Sequence, residues 1–260
     1  ARFSKKLKVL LTQIHELIRL NNLSQQASRI LEKHSLVQAI LFDYDGVLVN
    51  SMPFHVQAWQ TVFREYDIEI RPEDVLVREG SRAIELATEV FAEHAIEISQ
   101  DDLQAFVDRK QESYRSLANI WFEPVAESLL STLKRNGFLL GLVTGSARRN
   151  VMFSANGQVL SLFDAIITND ETEKGKPNPE CFLKAADALS VPPEQCLAIE
   201  NAPLGIQAAK NAGMRVVALT TTLEKGNLAG ADTYFKDLRE FANSWEKIIF
   251  TKLSQLSRAS

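Results

Sequence analysis

Cysteine is scarce in this chain of 260 residues, which contains only Cys181 and Cys196. The two are not spaced as metal ligands, so we interpret both as small core residues of a reduced, intracellular protein. The sequence also lacks an apolar run of the roughly 20 residues that a membrane-spanning helix needs. The basic residues near its start are not followed by the continuous apolar core of a signal peptide. These absences predict a cytoplasmic protein with no membrane anchor.

A strong excess of charge of either sign is missing as well. The formal net charge is -4, with 24% charged and 45% hydrophobic residues, as in ordinary globular proteins. Nothing here provides the basic surface that nucleic acids or anionic membranes attract. We therefore expect no nucleic-acid partner and no membrane partner.

The most informative stretch is the acidic turn that follows the apolar run from Leu36 to Phe42. The run predicts a buried strand, and Asp43 and Asp45 at its end project to the same side of an extended backbone. Gly46 permits a sharp turn directly afterwards. Two like charges this close repel one another unless a cation or a shared proton relieves them. Taken alone, the stretch is also compatible with an ordinary acidic turn.

The rest of the chain divides into helical and mixed regions. Residues 1–35 have the apolar spacing of a helical hairpin, and no strand pattern occurs between residues 53 and 118. Helices are expected there near residues 54–66, 72–77, 82–94 and 100–117. From residue 119 onward strands alternate with helices, which predicts βαβ units and a parallel sheet. The predicted fold is α/β: a Rossmann-like core (36–52 and 119–250), a small helical cap (53–118), an N-terminal helical extension (1–35) and a C-terminal tail (251–260).

Polar side chains follow the strands of this predicted sheet, in each case beyond the strand's C-terminal end. In open parallel sheets this is the edge at which ligands bind. Four such clusters at one edge make an accidental acidic turn a poor explanation. They are Asp43 with Asp45, Thr144 with Ser146, Lys176, and Glu200 with Asn201.

The chemistry of this set suits a phosphoryl group and Mg²⁺, which prefers hard oxygen ligands and retains several waters. Asp43 is the candidate nucleophile and Asp45 the candidate acid and base. Thr144, Lys176 and Ser146 with its neighbouring backbone N–H groups are candidates for binding the non-bridging phosphate oxygens.

With these residues in place, the chain resembles phosphotransferases of the haloacid dehalogenase superfamily. The motifs that carry the resemblance are Asp43-Tyr44-Asp45-Gly46-Val47, Thr144-Gly145-Ser146, Lys176-Pro177-Asn178-Pro179, and Glu200-Asn201 with Gly205 beyond it. The helical insertion resembles the small cap of the β-phosphoglucomutase-like subfamily. The resemblance implies an aspartyl-phosphate intermediate at Asp43 and Mg²⁺ as cofactor. The implied metal ligands are Asp43, Asp45, Glu200 and Asn201, and the implied phosphate ligands are Thr144, Gly145, Ser146 and Lys176.

One position departs from the subfamily pattern. Many members have Glu-Asp where this chain has Glu200-Asn201, and asparagine offers an oxygen ligand but no charge. The run Glu200–Gly205 resembles a bacterial inorganic pyrophosphatase of the same subfamily, in which a cap glutamate reaches the metal. Glu79 occupies the corresponding turn and is the fifth candidate ligand. The alternative for Glu79 is an exposed loop charge.

Three further cap residues match positions that serve the substrate in the mutases: His55, Arg82 and Lys110. Without the resemblance, each would be interpreted as an ordinary helix residue. The sequence therefore predicts a Mg²⁺-dependent phosphohydrolase, expected to be a monomer, that acts on a small phosphorylated metabolite or on pyrophosphate. A phosphosugar mutase and a non-catalytic regulatory protein are the two alternatives.

Overall fold

The computed structural model describes residues 37–154 and 157–250. The predicted N-terminal helical extension (1–35) and C-terminal tail (251–260) lie outside the described residues. No helix in the described ranges is both long and apolar enough to cross a membrane.

Six parallel strands form one sheet in the order β3-β2-β1-β4-β5-β6. They are β1 (Ala39–Phe42), β2 (Leu139–Val143), β3 (Ala165–Ile167), β4 (Cys196–Glu200), β5 (Arg215–Leu219) and β6 (Thr233–Phe235). β1 is central: Ala39 pairs with Leu139 of β2 on one side and with Cys196 of β4 on the other. The strand order therefore reverses at β1 and β4, where open parallel sheets place their ligands.

Both faces of the sheet are buried, as parallel sheets require. Successive side chains of β1 alternate between faces, so Ile40 and Phe42 belong to one hydrophobic cluster and Ala39 and Leu41 to the other. The helices that cover the sheet are α5 (Ala126–Arg135), α6 (Arg148–Ser154), α7 (Gly157–Leu160), α8 (Glu180–Ala188), α9 (Pro203–Asn211), α10 (Leu238–Ala242) and α11 (Trp245–Phe250). This arrangement confirms the predicted α/β fold with a parallel, Rossmann-like sheet.

Four helices lie between β1 and β2. They are α1 (Met52–Arg64), α2 (Pro72–Leu76), α3 (Ala83–Glu93) and α4 (Gln100–Leu117), and we call them the inserted helices. They have a hydrophobic cluster of their own, in which the rings of Phe63 and Phe106 lie 4.8 Å apart. The four helices match the four predicted segments to within two residues at each end. Their assignment to a separate cap domain stays a prediction.

The structure adds two details to the sequence-based prediction. The last helical segment is interrupted, because α10 ends at Ala242 and α11 begins at Trp245. Asn243 and Ser244 separate them, and such side chains compete with helical backbone hydrogen bonds. Helices α6 and α7 were not expected, because each is too short for its apolar residues to show a helical period.

Candidate active site

The structure brings the predicted core residues together at the C-terminal edge of the sheet. Asp43 and Asp45 follow β1, Thr144 follows β2, and Glu200 ends β4. Lys176 reaches the same place from the loop between β3 and α8. All five are buried. Because β2, β1 and β4 are neighbours, the ends of three adjacent strands supply four of the five groups.

Lys176 is the electrostatic centre of the site. Its ammonium donates hydrogen bonds to Asp43 Oδ1 and to Glu200 Oε1, both at 2.6 Å, and is 3.4 Å from the carbonyl oxygen of Val143. Burial lowers the pKa of Lys176, but Asp43 and Glu200 outweigh it, so the pKa lies above its usual range. The lysine therefore stays charged and holds both carboxylates in place.

The negative charge of ionised Asp43 is only partly balanced by its neighbours. Burial raises its pKa well above the usual range, Glu200 and Asp45 add to the effect, and Lys176 only partly opposes it. A nucleophilic carboxylate must be ionised. One lysine shared between two carboxylates leaves part of their negative charge unbalanced. A second cation beside Asp43 would therefore favour its ionised form.

Asp45 lies among hydroxyl groups and an imidazole. Ser51 Oγ donates to its Oδ1 at 2.5 Å and Ser146 Oγ to its Oδ2 at 2.6 Å, while His55 Nε2 lies 3.3 Å from Oδ1. Thr144 Oγ1 also donates to Oδ2, at 3.4 Å. Burial would raise the pKa of Asp45, but His55 and the hydroxyl donors lower it below its usual range.

These contacts bear on the expectation that Asp45 binds metal. Both of its carboxylate oxygens already accept hydrogen bonds. A metal ion would have to replace one of these donors, so the ligand role of this carboxylate stays a prediction. The contacts match a group that takes up and releases protons. Ser51, whose hydroxyl donates to Asp45, is a site residue that sequence reasoning missed.

His55 and Lys110 extend the network from Asp45 into the inserted helices. Lys110 Nζ lies 2.8 Å from His55 Nδ1, and the imidazole stacks on Tyr114 with ring centroids 4.0 Å apart. The ammonium also lies 4.9 Å from the ring centroid of Trp59. Burial lowers the pKa of Lys110 to about 7, against a smaller opposing effect of Asp45. Burial and Lys110 together lower the pKa of His55, so its neutral form is favoured.

Glu79 is buried and faces Asn201, which places the predicted fifth ligand beside the core. Asn201 Nδ2 donates to Glu79 Oε1 at 3.1 Å and to Thr222 Oγ1 at 3.1 Å. Burial, followed by the charge of Asp43, raises the pKa of Glu79 well above its usual range. The alternative interpretation of Glu79 as an exposed loop charge is therefore wrong.

Two oxygens at this contact lack partners. Glu79 Oε2 and Asn201 Oδ1 are both buried, and no described residue gives either of them a hydrogen bond. Buried polar atoms are normally satisfied, and an unpaired one costs about 1 to 3 kcal/mol. Within the described ranges, no three His, Cys, Asp or Glu side chains are arranged as a metal site, and the ammonium of Lys176 lies between two of the carboxylates. The donor set of carboxylate and amide oxygens nevertheless fits Mg²⁺.

Two glycines allow this close packing. Gly46 has φ 78°, and a Cβ there would lie 2.3 Å from Asn201 Nδ2. A Cβ on Gly145 would lie 2.6 Å from the carbonyl oxygen of Gly80. The loop that carries Glu79 and the loop that carries Ser146 can therefore approach this closely only because Gly145 lacks a side chain, and Gly46 leaves the space that the Asn201 amide occupies.

A cavity of about 70 Å³ lies over Asp43 and Asp45. Of the predicted cap residues, His55, Glu79 and Lys110 line it. Arg82 does not, because its guanidinium donates to the carbonyl oxygen of Glu173 at 2.8 Å. The structure thus does not bring Arg82 together with the other predicted residues. The cavity also has lining residues that sequence reasoning missed, among them Trp59, Arg78, Ser81, Gln111 and Asn169.

Comparisons with known proteins agree with this geometry. Residues 40–219 match the family model described as haloacid dehalogenase-like hydrolase. The chain is 37% identical to validoxylamine A 7'-phosphate phosphatase from Streptomyces hygroscopicus subsp. limoneus, over 79% of this chain and 96% of that protein. It is 31% identical to a fructose-1-phosphate phosphatase from Escherichia coli (strain K12), over 68% of this chain and 94% of the relative.

A solved structure shows the same fold. β-Phosphoglucomutase from Clostridium difficile superposes with a TM-score of 0.70 at 24% identity, over 86% of this chain and 96% of that one. At that identity the likeness bears on the fold alone. It supports the α/β fold described above.

Proposed function

The chain belongs to the haloacid dehalogenase-like hydrolase family and is a phosphatase that acts on phosphorylated compounds; from this premise we propose a Mg²⁺-dependent hydrolase that works through a phosphorylated Asp43. Family membership confirms the expectation of an enzyme, so the non-catalytic alternative is set aside.

The proposed reaction has two displacements at phosphorus. A carboxylate oxygen of Asp43 forms a bond to phosphorus while the bond to the leaving oxygen breaks, and Asp45 gives that oxygen a proton. Water then attacks the phosphorus, Asp45 takes a proton from it, and the Asp43 carboxylate is released with inorganic phosphate. The lowered pKa of Asp45 in the present arrangement keeps it ionised, which is the form that the second step requires.

Lys176, Thr144 and Ser146 are the groups proposed to bind the transferring phosphoryl group. Ser146 N donates to Thr144 Oγ1 at 3.0 Å, which fixes the loop between them. Lys176 lies 2.6 Å from the nucleophilic carboxylate, so its charge is already in place where negative charge develops. Removing such a preorganised donor typically costs about 10²- to 10³-fold in kcat.

We propose that Asp43, Glu200, Asn201 and Glu79 hold Mg²⁺. The ion would supply positive charge to the phosphoryl oxygens and relieve the repulsion among these carboxylates. The observation that supports this assignment is the pair of buried oxygens without partners, Glu79 Oε2 and Asn201 Oδ1. Asn201 contributes no charge, and Glu79 contributes the charge that an aspartate would otherwise provide.

Pyrophosphate is the first candidate substrate. Glu79 contacts Asn201 directly, and the cavity of about 70 Å³ is small beside the ~300 to 1,000 Å³ typical of ligand pockets. A small leaving group suits such a space better than a hexose does. Sugar phosphates are the second candidate, because two relatives are named a fructose-1-phosphate phosphatase and a phosphorylated carbohydrates phosphatase, and because the Trp59 ring lines the cavity.

A phosphate-release panel tests the proposal. The intact protein would be assayed with and without Mg²⁺ on pyrophosphate, hexose phosphates and phosphoglycolate. We expect strict Mg²⁺ dependence and the highest kcat/KM for pyrophosphate. A preference for a hexose phosphate would select the second candidate. Isomerisation of a hexose phosphate without phosphate release would support the mutase alternative, and full activity after chelation would reject the metal-dependent pathway.

A further inference from the structure

One neutral side chain in the cavity wall has no part in the reaction proposed above. Gln111 follows Lys110 on α4, is buried, and lines the cavity over Asp43 and Asp45. A buried glutamine at a phosphate site needs an explanation, because each unpaired amide group costs free energy.

The carbonyl end of Gln111 is held by the core. Asn150 on α6 is 2% exposed, and its Nδ2 donates to Gln111 Oε1 at 2.6 Å. An amide whose oxygen is fixed in this way directs its NH₂ group elsewhere. In the described part of the chain, Gln111 Nε2 has no acceptor. A donor group is therefore left available at the wall of the cavity.

The two helices involved tie this donor to the phosphate site. Helix α6 begins directly after the Thr144–Ser146 loop, and α4 carries Lys110, which contacts His55 beside Asp45. The Asn150–Gln111 hydrogen bond thus fixes the amide relative to the groups that hold the phosphoryl group. With a substrate bound, the NH₂ group of Gln111 would therefore face the part of the substrate beyond the scissile bond.

The nearby cations are already engaged. Arg78 also lines the cavity, but its guanidinium pairs with Glu89 and Glu93. Lys110 faces His55 and has a lowered pKa. The neutral amide of Gln111 is left as a donor that needs no counter-charge.

We propose that Gln111 is a specificity residue that donates a hydrogen bond to an oxygen of the leaving group, and that Asn150 is its positioning residue. The favoured substrates carry an acceptor oxygen beyond the bridging oxygen, as pyrophosphate and sugar phosphates do. This inference rests on the proposed phosphatase site and adds to it the recognition of the leaving group.

The test compares leaving groups that have or lack such an oxygen. Gln111→Met keeps the side-chain length and removes the donor. For pyrophosphate, or for the best hexose phosphate of the panel, we expect kcat/KM to fall about 10- to 100-fold, mainly through KM. For phenyl phosphate, whose leaving group has no further oxygen, we expect a clearly smaller loss of kcat/KM. Gln104→Met, on the exposed face of α4, is the matched control and should change neither substrate.

Asn150→Asp tests the positioning role without altering Gln111. A carboxylate only accepts, so the glutamine must turn its NH₂ group toward it and present its carbonyl oxygen to the cavity. The oxygen-bearing substrate should again lose more than phenyl phosphate, although the added charge opposes both scissile phosphates alike. Equal losses on the two substrates would show general electrostatic damage and overturn the positioning role.

Stability and function can be separated in this design. If Gln111→Met unfolds because Asn150 loses this acceptor, the double variant with Asn150→Leu removes both partners of this hydrogen bond and should melt above the single variant. It should keep the selective loss on the oxygen-bearing substrate. A folded variant with unchanged selectivity overturns the inference while leaving the phosphatase proposal intact. A parent that releases phosphate from no substrate overturns the proposal itself.

Discussion

Replacing Glu79 by glutamine should affect stability in opposite directions with and without Mg²⁺. Without the ion, Glu79 is a buried carboxylate close to Asp43, Asp45 and Glu200, and its pKa is raised well above 4.5, chiefly by burial. Between the unfolded and folded pKa values, the unfolded chain binds fewer protons than the folded one. Stability therefore falls as pH rises above 4.5, by about 1.4 kcal/mol for each unit by which the pKa is raised. Glu79→Gln removes this cost.

With Mg²⁺ present, the same carboxylate should become favourable. An ion that binds only the folded state stabilises it by RT ln(1 + [Mg²⁺]/Kd). Losing one charged oxygen ligand should weaken binding about 10- to 100-fold, or about 1.4 to 2.7 kcal/mol of stabilisation. At about 2 to 4 °C per kcal/mol for a chain of this size, the Mg²⁺-dependent rise in melting temperature should shrink by about 3 to 11 °C.

Thermal melts measure both effects. They are recorded in chelator and in Mg²⁺, each from pH 5 to pH 8, which spans roughly physiological conditions. The variant should melt above the parent in chelator, by a margin that grows with pH, and should gain less from Mg²⁺. Glu69→Gln, which removes the same charge from an exposed position, is the control and should show neither effect. Matching responses of the two variants would remove Glu79 from the metal site.

Four further predictions follow from the same contacts. Asp43→Asn should keep the fold, by circular dichroism, and lose more than about 100-fold in phosphate release, or about 2.7 kcal/mol; a smaller loss would refute the nucleophile. Asp45→Asn should impair an alkyl phosphate more than nitrophenyl phosphate, whose leaving group needs no proton, and equal losses would refute the acid role. Lys110→Met should stabilise the protein, as measured by denaturant titration, most below pH 7 and progressively less toward pH 10.5. The lowered pKa of Lys110 makes the parent more stable as pH rises through that window. A pH-independent difference in stability between variant and parent would contradict this explanation. Gly205→Ala would place a Cβ 2.0 Å from Glu200 Oε1, so activity should fall with little change in the sheet, and parental kcat would contradict the contact.

The core of the site could be predicted because it depends on the sheet alone. A buried run followed by a polar residue gives the C-terminal end of a strand, and parallel strands bring such ends to one edge. Asp43, Thr144 and Glu200 follow that rule and lie together. Their meeting requires only the strand order, not the detailed packing of any helix.

The remaining site residues could not be predicted in this way. Gln111 contacts Asn150 on α6, and Arg82 contacts the carbonyl oxygen of Glu173 in a core loop, so both contacts join the inserted region to the core. Such contacts depend on how two separately formed hydrophobic clusters pack against each other, and local periodicity carries no information about that packing. The resemblance suggested that Arg82 would face the substrate, whereas a backbone carbonyl of the core accepts its hydrogen bond.

The balance of charge around Lys176 supports the proposal that Glu79 supplies the negative charge that Asn201 lacks. Asp43, Asp45 and Glu200 all act on Glu79, so four carboxylates share a buried site with one firmly charged lysine. A divalent ion would reduce that excess, whereas an aspartate in place of Asn201 would add a fifth negative group at the same point. Asn201→Asp should therefore lower metal-free stability, and it should regain function when combined with Glu79→Gln, which returns the number of charges to that of the parent. A double variant no more active than the worse single variant would show that the place of the charge matters as much as its number, and would assign Glu79 a role that the core cannot replace.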